Sequence, residues 1–290
     1  MVKPCSVMLI LFLGASGANV EVQPSNVPLT SLVTQLGHND IVLAKAFSPD
    51  GRFLLTVSRD QTAVLWEVAT GAEVRRYLDE SGVVAAAFFS DNARVLIVTG
   101  KGALQVRDLT TNREITRIET QTETTRAALA RNGLQVLVAS EGHVAIWDLT
   151  TASRVANVGA RNYVADLAWS PDGRSVAFTS RRSHYEDDQP GPTQVYDVAT
   201  GAVRTLSGHT NSVMSLSFSA DGTRVVTGSI DHTARVWDAS TGRELLVLRA
   251  AAKLYGAAFS PDSHLIFTTD PSAVRSRPTT EAAEPQGRRR

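Results

Sequence analysis

Serine, histidine and aspartate recur together in this chain at a fixed spacing, and these are the residue types of a nucleophilic triad. His209, Ser229 and Asp231 precede Trp237, and His38, Ser58 and Asp60 precede Trp66. In a triad the hydroxyl attacks a carbonyl, the imidazole takes its proton and the carboxylate orients the ring. Duplication argues against that chemistry here, because scaffold parts are repeated along a chain while an active site is not. A second polar group, His184, Glu186, Asp187 and Asp188, has the side chains to hold a cation but lacks the regular alternation of a calcium loop. The sequence contains no P-loop, no Rossmann glycines, no HExxH and no GxSxG. Its single cysteine, Cys5, leaves no cysteine-based zinc site and no internal disulfide.

The segments between these residues are strands. Val213 to Phe218 alternates with a period of two, Ala220-Asp221-Gly222 turns, Arg224 to Ser229 returns, Ile230-Asp231-His232 turns again, and Thr233 to Trp237 runs out. The unit recurs. Its tryptophan position falls at Trp66, Arg107, Trp147, Tyr196 and Trp237, at spacings of 41, 40, 49 and 41. The turn after the first strand repeats as Ser48-Pro49-Asp50-Gly51, Ser170-Pro171-Asp172-Gly173 and Ser219-Ala220-Asp221-Gly222, and ends the series as Ser260-Pro261-Asp262-Ser263. These Asp-Gly pairs suit the positive φ that glycine accepts without steric cost.

The stretch GHTNSVMSLSFSADGTRVVTGSIDHTARVWD, from Gly208 to Asp238, resembles the WD-repeat (WD40) family, whose unit is a propeller blade of four strands. The resemblance implies an all-β propeller of antiparallel blades over residues 29–277, six blades by count, with Leu29 to Leu36 as an outer strand closing the ring on the last blade. It also implies that tryptophan, Ser58 or Ser229, histidine and aspartate form a buried hydrogen-bonded chain, with Trp66 or Trp237 donating to the serine. Only the first and fifth copies hold the whole set. The second has Arg107-Asp108 at its end and Lys101 at the turn aspartate; the third places Gly142-His143 in its third strand; the last is expected to carry Ser276 at the tryptophan position.

The 290 residues carry 29 basic and 29 acidic side chains, a balance that gives no global pull toward nucleic acid or anionic membrane. Residues 1–18, with Lys3, the apolar run Val7 to Leu13 and the small Ser16-Gly17-Ala18, resemble a signal peptide, which makes the chain secreted or periplasmic; without it the chain is cytoplasmic. Residues 19–28 are expected as a linker and 278–290 as a disordered tail. No run reaches the roughly 20 apolar residues that span a bilayer.

Recognition is expected on one face. Turns of a meander alternate between the two ends of its strands, so the insertion between Ser180 and Thr193 shares an end with the Gly-His connections. Arg182, His184, Tyr185, Glu186, Asp187 and Asp188 lie in that insertion, joined on the same face by Asn39, Asp40, Arg59, Arg161, Asn162, Tyr163, Thr210, Asn211, Ile230 and Lys253. The expected role is a non-enzymatic scaffold for a protein or peptide, without cofactor or metal. Two alternatives stand beside it. The fourth copy, WSPDGRSVAFTSRR followed by TQVYDVATG, resembles the repeat of periplasmic six-bladed propellers of envelope- and peptidase-associated proteins. A metal-dependent hydrolase at the channel mouth is the other, built on His184, Glu186, Asp187 and Asp188.

Overall fold

The computed structural model describes residues 37–160, 163–181 and 190–279. Among them every regular element is a strand, and the strands form six antiparallel sheets in chain order. The first sheet is β1 (Val42–Phe47), β2 (Phe53–Ser58), β3 (Ala63–Glu67) and β4 (Glu73–Tyr77). The second is β5 (Val83–Phe88), β6 (Arg94–Thr99), β7 (Ala103–Asp108) and β8 (Glu114–Glu119). The third is β9 (Arg126–Leu129), β10 (Gln135–Ser140), β11 (His143–Asp148) and β12 (Ser153–Gly159). The fourth is β13 (Tyr163–Trp169), β14 (Ser175–Arg181), β15 (Thr193–Asp197) and β16 (Val203–Thr205). The fifth is β17 (Val213–Phe218), β18 (Arg224–Ser229), β19 (Thr233–Asp238) and β20 (Glu244–Arg249). The sixth has three strands, β21 (Gly256–Phe259), β22 (Leu265–Thr269) and β23 (Val274–Pro278). Each sheet is a meander, so the chain finishes one blade before starting the next.

Packing explains the composition of the strands. The second strands read as near-continuous apolar runs, such as Val95-Leu96-Ile97-Val98, because both of their faces are covered by neighbouring sheets. Five apolar clusters lie between successive sheets: Leu55 and Ile97 meet in one, Leu96 and Val138 in the next, then Leu137 and Phe178, Ala177 and Trp237, and Val226 and Ile266. The outer strands β4, β8 and β20 are half-solvated and carry alternating charged residues such as Arg75, Arg117 and Glu244.

The repeated turns are closed by their own side chains. Ser48 Oγ donates to Asp50 Oδ1 at 2.6 Å, and Ser219 Oγ to Asp221 Oδ1 at the same distance. Gly51 and Gly222 then take φ of 71° and 72°. The last copy has Ser263 there at φ 58°, and its Oγ accepts the Ala220 N–H of the preceding blade at 2.8 Å. The aspartate of each Trp-Asp pair caps the hairpin that follows: Asp238 Oδ1 accepts the N–H of Ser240 and of Thr241 at 3.0 and 2.8 Å.

Two positions differ from expectation. Ile266 pairs with Arg277 as Val225 pairs with Trp237, so Arg277, not Ser276, holds the tryptophan register of the last blade. The last strand runs through Pro278, which the sequence assigned to a disordered tail; a proline is tolerated there because an edge strand needs no inner N–H. The expected closing strand at 29–36, the segments 1–18 and 19–28, and the rest of the tail lie outside the described residues.

Candidate functional site

Two polar networks stand at equivalent places in the first and fifth sheets. In the fifth, Trp237 Nε1 donates to Thr227 Oγ1 at 2.8 Å, Thr227 Oγ1 lies 2.7 Å from His209 Nε2, and His209 Nδ1 lies 2.8 Å from Asp231 Oδ2. The first sheet repeats the chain through Trp66, Thr56, His38 and Asp60 at 2.8, 2.7 and 2.9 Å. The carboxylate accepts only, so it places the ring proton on Nδ1 and leaves Nε2 to accept the threonine O–H. Every side-chain polar atom of the Trp, Thr, His and Asp in these two networks then has a partner.

The hydroxyl at the centre is Thr56 or Thr227, not Ser58 or Ser229 as expected. The serines lie two residues further along the same strand face, at its very end. There Ser229 Oγ donates to the Ser212 carbonyl at 2.9 Å and accepts the Asp231 N–H at 3.1 Å, and Ser58 Oγ donates to the Asp40 carbonyl at 3.1 Å. They tie the inter-sheet connection to the turn, while the threonines reach the tryptophan. Thr62 and Thr233 were not foreseen. Thr233 Oγ1 donates to Asp231 Oδ1 at 2.6 Å and Thr62 Oγ1 to Asp60 Oδ1 at 2.8 Å. The repeated spacing Asp60-Gln61-Thr62 and Asp231-His232-Thr233 was the available signal.

Electrostatics fit a structural role. Burial by itself would raise the Asp231 carboxyl, but the bonds from His209, Thr233 and the Thr210 N–H outweigh it and hold the group well below the usual carboxylate range. Asp60 is lowered in the same way, its burial outweighed by the Asn39 N–H, Thr62 and His38. The imidazoles are thus committed on both nitrogens. Another buried carboxyl, Asp166 on β13, was not picked out from the sequence. Burial pushes it up against the opposing influence of Arg126, and its two oxygens accept the Leu167 and Leu216 N–H groups, each at 2.9 Å. It joins the fourth sheet to the fifth.

The networks also fix which surface residues share an end of the sheets. Asp60 Oδ2 accepts the Asn39 N–H at 2.9 Å, and Asp231 Oδ2 accepts the Thr210 N–H at 3.1 Å. The Arg59 N–H reaches the Ile41 carbonyl at 3.0 Å, and the Leu254 N–H reaches the Ser229 carbonyl at 3.1 Å. Asn39, Asp40, Arg59, Thr210, Asn211 and Lys253 therefore line one rim with the turns joining second and third strands. Tyr163 is there too, opposite Arg181 in the ladder, with the guanidinium 5.5 Å from its ring centroid. Ile230 is not a surface residue: it is 3% exposed, because its N–H is drawn onto the Ser212 carbonyl and its side chain is turned inward. Arg161, Asn162, Arg182, His184, Tyr185, Glu186, Asp187 and Asp188 lie outside the described residues. Among the described residues no three His, Cys, Asp or Glu side chains gather as a metal set.

Comparison with known proteins agrees with this geometry. The family model described as WD domain, G-beta repeat matches residues 29–67 and 201–238, the two copies that hold the networks. The chain is 26% identical to the serine-threonine kinase receptor-associated protein of Dictyostelium discoideum, over 69% of this chain and 81% of that protein. It is 26% identical to the guanine nucleotide-binding protein subunit beta of Zea mays, over 80% of this chain and 64% of that one. With the transcription factor unc-37 of Caenorhabditis elegans it shares 27% identity over 69% of its own length and 34% of the other's. Among the described residues, six antiparallel sheets in chain order, a doubled Trp-Thr-His-Asp network and a repeat model that falls on both copies agree: the chain carries WD (G-beta) repeats at residues 29–67 and 201–238 and is similar to WD-repeat (WD40) proteins.

Proposed function

We propose that this protein is a non-enzymatic interaction scaffold that binds a protein or peptide over the rim carrying residues 181–192. The observation that supports it most is the use made of the histidines. His38 and His209 are spent on holding the connections against the turns, which leaves a rigid rim of Asn39, Asp40, Arg59, Tyr163 and Asn211 above them. Side chains fixed by the scaffold beneath lose little freedom on binding, and tyrosine and arginine are the types that anchor protein contacts. Two relatives are named as a receptor-associated protein and a subunit, both of them proteins that work in association.

Of the two locations open to the chain, the cytoplasmic one has the support of its relatives, named for a kinase receptor, a guanine nucleotide and transcription. Among the described residues no helix is long and apolar enough to cross a membrane. The test is affinity capture with the full chain as bait, beside a variant in which residues 182–189 are replaced by two glycines. A partner retained by the first and lost by the second supports the reading; equal retention by both moves the contact off this rim.

A further inference from the structure

One cation of the rim is held by soft contacts alone. Arg181 ends β14, where its guanidinium lies 5.5 Å from the Tyr163 ring centroid and its Nη1 lies 3.6 Å from Met214 Sδ on β17 of the next sheet. Its Nε is buried and has no acceptor. Among the described residues no carboxylate stands within ion-pair distance of it, whereas Arg76, Arg107, Arg117 and Arg235 each have a glutamate. The fold itself does not call for a cation here. Arg181 follows Ser180 as Ile230 follows Ser229, and Ile230 fills that register in the fifth sheet with a side chain 3% exposed. Arg59 holds the register in the first sheet and is exposed, so that water meets its charge; Arg181 is half-buried.

An aromatic face and a thioether attract a cation, but neither satisfies the five N–H donors of a guanidinium. A half-buried charge with an unmet donor costs stability unless an acceptor arrives. The Tyr163 ring restrains the guanidinium, so little freedom is lost when an acceptor docks, and the flexible Met214 adapts to the shape that brings it. The acceptor that matches a restrained, planar, positively charged fork is a carboxylate, whose two oxygens take two parallel N–H bonds.

Resting on the rim reading above, we infer that Tyr163, Arg181 and Met214 form the anchor point of that rim, and that the protein or peptide bound there presents an aspartate or glutamate side chain to Arg181. The probe is a phage-displayed library of random peptides about twelve residues long, selected on the full chain, with the selected peptides resynthesised and titrated by fluorescence anisotropy. The peptides are expected to share one acidic residue, and its replacement by the matching amide should weaken binding about tenfold. Arg181→Met should weaken the same peptides by about the same factor, and the two changes together should cost no more than either alone. Arg181→Met should also keep or raise the melting temperature, because an apolar side chain replaces an unpaired cation, whereas loss of a purely structural arginine would lower it. Arg174→Met, in an exposed turn at the opposite end of the strands, is the control and should leave binding unchanged. Peptides that are lost on Asn39→Arg or Asn211→Arg but share no acidic residue, or that bind Arg181→Met as tightly as the parent, overturn the inference and leave the rim reading standing. Peptides indifferent to both asparagine substitutions, or a selection that yields no binder, count against the rim reading and the inference together.

Discussion

Thr227 carries three claims on one hydroxyl: the Trp237 N–H arrives at 2.8 Å, His209 Nε2 lies at 2.7 Å, and the side chain is fully buried. Thr227→Val keeps the shape and strands both partners, so it should cost about 2–4 kcal/mol in urea unfolding. Thr56→Val should cost less, because Trp66 is half-buried and water can reach its N–H. The pH profile separates two kinds of aspartate. Asp60 and Asp231 are lowered from 3.8, so their stabilisation is complete above that value and is lost as pH falls through their folded pKa. Asp166 is raised from 3.8, so it binds its proton more tightly when folded, and stability falls as pH rises through the window above 3.8. Asp166→Asn should remove that decline and leave the acid limb intact, read from urea midpoints between about pH 3 and pH 8. The histidines, aspartates and tryptophans of the networks were legible because both copies repeat them. The threonine was not, since a strand's period of two places Thr227 and Ser229 on one face, and only the ladder tells which of them meets the tryptophan.

At the scale of the element, the glycine of Gly208-His209 is required by packing as well as by its backbone, at φ 159°. A Cβ there would meet Arg235 Nη1 at 2.7 Å and the Trp237 ring edge at 3.0 Å. Gly208→Ala should therefore cost about 1–3 kcal/mol by pushing on a buried indole, with a matching fall in melting temperature. Replacing residues 182–189 by two glycines should change stability little, because β14 and β15 already meet where the Ser180 N–H bonds the Pro192 carbonyl at 3.0 Å. Strand positions followed from alternation and from the Asp-Gly turns, which is why most hairpins fell where the sequence put them. The last strand did not. With Arg277 in place of tryptophan, no aromatic residue marked its register, and one residue of slip passed unnoticed. Ile230 misled for a related reason: a turn position reads as surface unless its neighbour from the next connection is known.

At the scale of the molecule, five interfaces between sheets hold the described residues together, each with its own buried cluster. Repetition made the architecture readable, since one recognised blade specifies its neighbours. The rim was readable only in part: topology placed Asn39, Arg59, Tyr163 and Asn211 at one end, but nothing in a sequence measures how firmly they are held. The central claim is that this end of the propeller is the recognition surface. It is tested most directly by site-specific photocrosslinking in cells, with benzoylphenylalanine at Asn39 or Asn211 on the rim and at Thr70 or Thr110 in the turns at the opposite end of the strands. A crosslink to one protein species from the rim positions, absent from the opposite turns, is the expected result. Crosslinking confined to Thr70 and Thr110 would contradict the account and place recognition on the other face.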